Sequence, residues 1–230
     1  MKVCVIYGQS HQGSTYHMAR YLAEQLGQEI REVFLPRDFH EFCVGCKTCF
    51  LKGEEFCPHA ASVKPITEAI DEADVIILAS PVYVFHPTGA MKSLLDHLAF
   101  RWMAHRPEEK MFAKQGVTIT GAAGMGMKKT AKDMADSLFF WGISRLYSCP
   151  VAVAAMDWDH VSPKKKEKIE KRLNKIAKAI RSREGRVTPS WKGRFMFSIM
   201  RLSQQNGWNP KDQSYWEAKG WLGKKRPWKD

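Results

Sequence analysis

The 230-residue chain has no uncharged apolar run of 18 residues, which excludes a membrane-spanning helix. It opens directly on a short apolar run, without the basic start and apolar core of a secretory signal, and this predicts a cytoplasmic protein. It spells neither Gly-x-x-x-x-Gly-Lys-Ser/Thr nor Gly-x-Gly-x-x-Gly, so a nucleoside-triphosphate loop and a dinucleotide fingerprint are both missing. No convincing nucleophilic triad or carboxylate pair stands out, so side-chain nucleophilic or general-base chemistry has no evident carrier. Negative charge is scarce toward the C-terminus. Residues 160–230 carry 6 Asp/Glu against 20 Lys/Arg, whereas residues 1–159 carry 18 against 16. A basic tail attracts nucleic acid, anionic lipid or an acidic protein. With no nucleic-acid motif beside it, this one reads first as a solvated helix face and a wrap over an acidic body.

What is present is ordinary globular material, 44% hydrophobic, at a length that suits one α/β domain with an extension. Apolar runs predict strands at 3–7, 29–35, 75–79, 116–120 and 145–154. Helical periodicity predicts helices at 14–26, 63–72, 90–100 and 128–141, and a Lys/Glu-rich helix from Ser162 carries Ile169, Leu173, Ile176 and Ile180 on one side. The fully apolar Val75-Ile76-Ile77-Leu78-Ala79 suits a parallel strand covered on both faces. Five strands alternating with helices predict an α/β fold with an open, doubly wound parallel sheet. We divide the chain into a domain at 1–183 and an extension at 184–230. The extension holds five of the eight tryptophans and is expected to pack on the body, on a second subunit or on a membrane surface.

In such a sheet, ligands bind beyond the carboxyl ends of the strands, near the point where strand order reverses. Three loops open on that edge, at 8–15, 80–89 and 121–126. The first, Gly8-Gln9-Ser10-His11-Gln12-Gly13-Ser14-Thr15, turns from strand into helix and exposes unpaired N–H groups, which suit an anion such as phosphate. An ordinary capped strand-to-helix turn is the alternative.

Six cysteines stand at 4, 43, 46, 49, 57 and 149. Cys43-x2-Cys46-x2-Cys49-x7-Cys57-Pro58 brings four thiols into fifteen positions, a spacing that can wrap a [4Fe–4S] cluster. A zinc site, a redox disulfide and thiols that bind nothing are the alternatives. Cys4 and Cys149 fall in strands and are expected to be small buried residues.

The segment Ser80-Pro81-Val82-Tyr83-Val84-Phe85-His86, followed by a helix with Lys92-x-x-x-Asp96, resembles the Ser-Pro-x-Tyr region of the flavodoxin-like NAD(P)H-dependent FMN reductases. With the first and third loops in register, the resemblance covers about residues 1–155. The cysteine run resembles the compact motif of the iron–sulfur flavoproteins, which share that fold. Asp212–Leu222 is similar to the Tyr-Trp…Gly-Trp-Leu ending of some bacterial oxidoreductases of the family.

The resemblance implies a flavodoxin-like sheet of order 2-1-3-4-5. It implies FMN phosphate at Ser10, Gln12, Gly13, Ser14 and Thr15. It further implies the isoalloxazine at Pro81, Val82, Tyr83, Val84 and Phe85, closed over by Thr120, Gly121, Ala122 and Gly124. Many relatives begin the first loop with Gly-Ser and keep a cation nearby, where this chain has Gln9 and His11. The implied activity is an FMN-dependent oxidoreductase passing electrons from NAD(P)H to a quinone, a flavin or a redox protein, with no catalytic side chain required. The alternatives are an iron–sulfur flavoprotein with its cluster on Cys43, Cys46, Cys49 and Cys57, and an FMN-binding electron carrier that docks through the basic tail. A homodimer is the expected assembly, nucleic acid is not an expected partner, and membrane-surface contact of the tail stays open.

Overall fold

The computed structural model of the protein describes residues 1–229. Five parallel strands form one sheet in the order β2-β1-β3-β4-β5: β1 Lys2–Tyr7, β2 Glu29–Phe34, β3 Val75–Pro81, β4 Gln115–Ala122 and β5 Arg145–Ala152. The helices are α1 Ser14–Leu26, α2 Thr48–Leu51, α3 Ala60–Glu72, α4 Gly89–His97, α5 Met127–Phe140, α6 Pro163–Arg181, α7 Trp191–Gln205 and α8 Pro210–Ala218. The open parallel α/β sheet expected from the alternation of elements is observed, and so is the flavodoxin-like strand order 2-1-3-4-5 that the resemblance implies. Among the described residues, no helix is long and apolar enough to cross a membrane.

Two apolar layers follow from the period-2 alternation of the strands. Val75, Ile77 and Ala79 of β3 face one side, where Met18 and Leu22 of α1 and Ile169, Leu173 and Ile180 of α6 cover them. Ile76 and Leu78 face the other side, against Ile66 and Ile70 of α3, Leu94 of α4 and Leu138 of α5. Cys4 and Cys149 are both fully buried, one in each layer. The chain passes from β1 outward to β2 and then back across to β3, so strand order reverses between β1 and β3. That places the carboxyl ends of these two strands, Tyr7-Gly8 and Ala79-Ser80, side by side at the switch point.

Beyond residue 183, where the apolar periodicity is too weak to predict elements, the structure forms α7 and α8. Ser190 caps α7 by accepting from the Gly193 N–H at 3.2 Å, and Asn209 caps α8 ahead of Pro210 at its first turn. Phe197, Trp216 and Trp221 are buried against Met103 and Phe112 in a third apolar cluster. The Trp216 indole donates to the His105 carbonyl at 2.6 Å, so burial leaves its N–H paired. Covering each indole removes roughly 200 Å² from water, on the order of 5 kcal/mol, enough to hold this stretch on the body.

Candidate functional site

The three loops meet at the switch point through hydrogen bonds that local sequence does not reveal. The Gly8 N–H donates to the Ala79 carbonyl at 2.7 Å, continuing the β1–β3 ladder one residue past the strand. The buried Thr88 hydroxyl donates to the Gly8 carbonyl at 2.5 Å. The Thr88 N–H in turn donates to the Ser80 hydroxyl at 3.0 Å. A Cβ on Gly8 would lie 2.8 Å from both of those hydroxyl oxygens, so only glycine fits there. Thr88 also caps α4, accepting from the Met91 N–H at 3.2 Å. The Val82 N–H donates to the Gly121 carbonyl at 3.0 Å, joining the second loop to the third.

α1 begins in this crevice, and among the described residues no side chain caps it and no acidic residue sits in its first turn. Its leading N–H groups therefore remain available to an anion, with the positive end of the helix dipole behind them. Ser10 and Gln12 are exposed, Gly13 and Ser14 half-buried, and Thr15 is buried with its hydroxyl packed against Gly121. The side chains of His11 and Gln9 gather over Gly13, within 3.0 and 3.4 Å of where its Cβ would sit.

The segment after β2 touches the first loop through backbone and carries a cation, Arg37. The Arg37 N–H donates to the Ser10 hydroxyl at 3.3 Å. Its guanidinium stacks over Phe34 at 4.6 Å and grips Asp38 at 2.7 and 2.9 Å. That guanidinium holds the Asp38 carboxyl below its usual range, so the pair is ionised at neutral pH.

The second loop carries unusual backbone. Val84 and Phe85 adopt left-handed conformations, with φ of 49° and 65°. For a β-branched residue this costs on the order of 1–2 kcal/mol. Tyr83 and Phe85 are each half exposed and Val84 is 91% exposed, so none of them packs the core. Tyr83 is nonetheless tied back to the first loop, its hydroxyl 3.4 Å from the Gln9 amide oxygen. The third loop is open where it faces them. Nothing lies within 4 Å of a Cβ on Gly124, and Gly126, at φ 89°, abuts Val82 and Phe85. Thr120 is buried and donates to the Met127 carbonyl at 3.0 Å.

An uncapped helix end, half-exposed flat rings and a glycine-lined opening on one edge fit a phosphate-bearing ligand with a planar ring system, and they fit FMN. His86 is engaged beside them, its Nδ1 2.9 Å from Asp133 and its Nε2 3.2 Å from the Lys129 ammonium. A cavity of about 860 Å³ opens next to it between α4 and α5, with Leu95, Trp102 and Asp133 in its walls.

The cysteine segment lies between β2 and α3. Cys43 and Cys46 are exposed, Cys49 and Cys57 half-buried, and none is in a disulfide. The Thr48 hydroxyl, hydrogen-bonded to Cys46, lowers that thiol's pKa. Burial, and then the neighbouring Cys57 and Cys43, raises that of Cys49. Burial also pushes Cys4 up to about 12 and Cys149 up to about 11. Among the described residues, the one set of three or more metal-ligating atoms within 4.8 Å of one another is Cys57, His59 and His97. Sequence reading missed both histidines. His59 follows Cys57-Pro58 closely, but His97 stands 38 positions further on, with no local signal to join them.

A family model described as NADPH-dependent FMN reductase matches residues 1–157. An iron–sulfur flavoprotein of Archaeoglobus fulgidus is 30% identical over 203 residues, spanning 86% of this chain and 88% of that protein. An iron–sulfur flavoprotein of Methanocaldococcus jannaschii is 35% identical over 143 residues, 60% of this chain and 72% of that protein. Among solved structures, an FMN-dependent NADH-azoreductase from Bacillus anthracis in complex with FMN superposes with a TM-score of 0.56 at 12% identity, over 77% of this chain and 100% of that one. That likeness shows the fold.

Proposed function

The chain belongs to the family of NADPH-dependent FMN reductases, oxidoreductases that use FMN with a reduced nicotinamide, and on that premise we propose how its own residues serve the reaction. The observation that carries the proposal is the meeting of three loops at the switch point, fixed by Thr88, Gly8, Ser80 and the Val82–Gly121 bond. In this reading the leading N–H groups of α1, with Ser10, Gln12, Gly13, Ser14 and Thr15 around them, hold the FMN phosphate. Arg37, whose backbone N–H is bonded to Ser10, brings a guanidinium into the neighbouring segment. Pro81, Val82, Tyr83, Val84 and Phe85 form one wall of the ring slot, and Thr120, Gly121, Ala122 and Gly124 form the other. FMN held there would supply two-electron redox chemistry between a reduced nicotinamide and a second acceptor.

The protein's task is then binding, orientation and exclusion of water. The left-handed Val84 and Phe85 hold the ring wall in one shape before the ligand arrives, which lowers the ordering cost of binding. The cavity beside His86 supports an approach route for an acceptor such as a quinone, a flavin or a redox protein. Rapid mixing of FMN-loaded protein with NADPH and with NADH tests the reading. Bleaching of the flavin absorbance at a catalytic rate is expected, and no bleaching with either nucleotide would overturn it.

A second reading is favoured by a specific observation. The Archaeoglobus relative that spans most of this chain is an iron–sulfur flavoprotein, and this chain carries four cysteines in fifteen positions. In that reading Cys43, Cys46, Cys49 and Cys57 bind a [4Fe–4S] cluster that hands electrons on singly. Anaerobic isolation followed by iron and sulfide analysis separates it from a reductase with FMN alone. Four of each per chain supports the cluster, and none after anaerobic reconstitution removes it.

A further inference from the structure

We propose that Cys57, His59 and His97 form a mononuclear site for one divalent transition-metal ion of the zinc class, available whenever Cys57 is not held in a cluster. The three ligating atoms lie within 4.8 Å of one another, and His97 is buried while Cys57 and His59 are half-buried. A tetrahedral zinc ion with one sulfur and two nitrogens holds its ligand atoms about 3.3–3.6 Å apart, so the two imidazole nitrogens, 2.8 Å apart here, move apart by roughly 0.5 Å to admit it.

Hydrogen bonding at His97 adds orientation to this proximity. His97 Nδ1 lies 2.8 Å from the Ser93 carbonyl one turn back on α4. A carbonyl can only accept, so this nitrogen carries the hydrogen and His97 Nε2 presents a lone pair. His59 Nε2 lies 3.6 Å from the Glu41 carboxylate, near enough for that carboxylate to serve as an outer partner once a metal orients the ring. His59 Nδ1 lies 2.8 Å from His97 Nε2 and donates to that lone pair in the metal-free chain. A divalent ion takes the place of this bridging hydrogen, and Cys57 Sγ beside the pair supplies a third donor. The outer partners are those that metal-bound histidines use, a backbone carbonyl for one ring and a carboxylate for the other.

The surroundings fix this arrangement. The Ser93 hydroxyl donates to the Glu41 carbonyl, so one turn of α4 positions both the His97 ring and the irregular segment that carries Glu41. Phe39 packs edge-on against His97 at 4.9 Å and blocks its other rotamers. On the open side, a cavity of about 370 Å³ reaches Cys57 and His97 past Glu54, Lys64 and Phe100, leaving room for water as a fourth ligand. Charge balances as well. Binding releases the Cys57 proton to solvent, and one thiolate with the Glu41 carboxylate neutralises a divalent ion.

The experiment uses the full chain, isolated aerobically, stripped with a chelator and dialysed against Zn²⁺. Metal is counted by mass spectrometry and the site read by zinc X-ray absorption. One zinc per chain is expected, with one sulfur and two imidazole nitrogens in its shell. Cys43→Ser with Cys46→Ser is expected to leave both results unchanged. His59→Ala and Cys57→Ser are each expected to weaken binding at least tenfold, and Glu41→Gln roughly tenfold through its outer-shell role. His59 is half-buried, so its variant tests the site even where a His97 variant fails to fold. A shell of three or four sulfurs, or loss of zinc in the Cys43/Cys46 variant, would overturn the proposal in favour of the four cysteines. Zinc binding equally well to His59→Ala and Cys57→Ser, or not binding the unaltered chain, would overturn it outright, the latter leaving a shared proton between the two rings.

Discussion

The Thr88 hydroxyl reaches back 80 positions to the Gly8 carbonyl at 2.5 Å while its other face caps α4. One buried side chain thus sets the distance between the first and second loops of the switch-point crevice. Thr88→Val keeps the shape and removes both bonds, leaving a buried carbonyl and the Met91 N–H unpaired. A loss of about 1–3 kcal/mol is expected, a fall in melting temperature of roughly 2–10 °C. FMN affinity should fall with it, measured by quenching of flavin fluorescence. Thr88→Ser keeps the hydroxyl and should recover most of both.

The backbone at Val84 makes an opposite kind of prediction. A β-branched residue at φ 49° that is 91% exposed gains no packing energy to offset its strain. Val84→Gly relieves that strain, and the net gain after glycine's entropy cost is about 1 kcal/mol. The FMN-free protein should therefore melt roughly 2–4 °C higher. FMN binding and turnover should weaken, because the loop would no longer be held in one shape. A variant that gains stability and keeps full turnover would show that the strain has no functional role.

The cysteines should separate by reactivity. The hydrogen bond from Thr48 lowers the Cys46 pKa, so more of this exposed thiol is thiolate at neutral pH. Cys4 and Cys149 are buried, with thiols pushed up to about 12 and about 11. In cluster-free protein, brief alkylation followed by peptide mapping should mark Cys46 heavily and leave Cys4 and Cys149 unmarked until the chain unfolds. Thr48→Val should slow Cys46 labelling.

Asp38 gives the chain an acid-sensitive joint beside the first loop. Its carboxylate accepts from the Phe34 N–H at 2.7 Å and from Arg37, and these bonds, the Arg37 one first, depress its pKa. A depressed carboxylate contributes full stability above its unfolded pKa, near 3.9, and loses that contribution as pH falls through the lower folded value. Asp38→Asn should therefore be less stable than the parent chain at neutral pH, and the difference should close in strong acid. Denaturant titrations of both proteins across that window measure it.

The parts of this structure readable from sequence are those governed by short-range periodicity. The apolar run at Val75–Ala79 announces a covered parallel strand, and Met18 and Leu22 mark the inner face of α1. Parallel-sheet geometry then brings the three loops to one edge. Contacts between distant positions are not readable this way. Arg37 beside Ser10, and His59 beside His97, depend on where long segments settle. The tail helices failed for a different reason. Trp191, Phe195 and Leu202 leave much of α7's outer surface apolar, which blurs the one-sided pattern that marks an amphipathic helix. The caps at Ser190 and at Asn209-Pro210 were the usable signal.

The C-terminal helices are more than a cover, because Asp212 ties them to the cysteine segment. Asp212 is fully buried on α8 and accepts from the Arg106 guanidinium and, at 2.7 Å, from His105 Nδ1. The other arm of Arg106 donates to the Cys49 carbonyl at 2.5 Å and to Glu54 at 3.2 Å. Asp212→Ala leaves a guanidinium buried without its main counter-charge, a change that typically costs about 3–5 kcal/mol. The melting temperature should fall by roughly 6–20 °C. The mechanism predicts more than instability, since an unbalanced Arg106 should also release the segment at Cys49. Cys49 should then be alkylated faster in the folded variant, at temperatures well below its melting point. Asp212→Asn keeps one acceptor and should fall between the two in both measurements. A loss of stability with Cys49 labelling unchanged would show that the ion pair holds the tail alone and does not brace the cysteine segment.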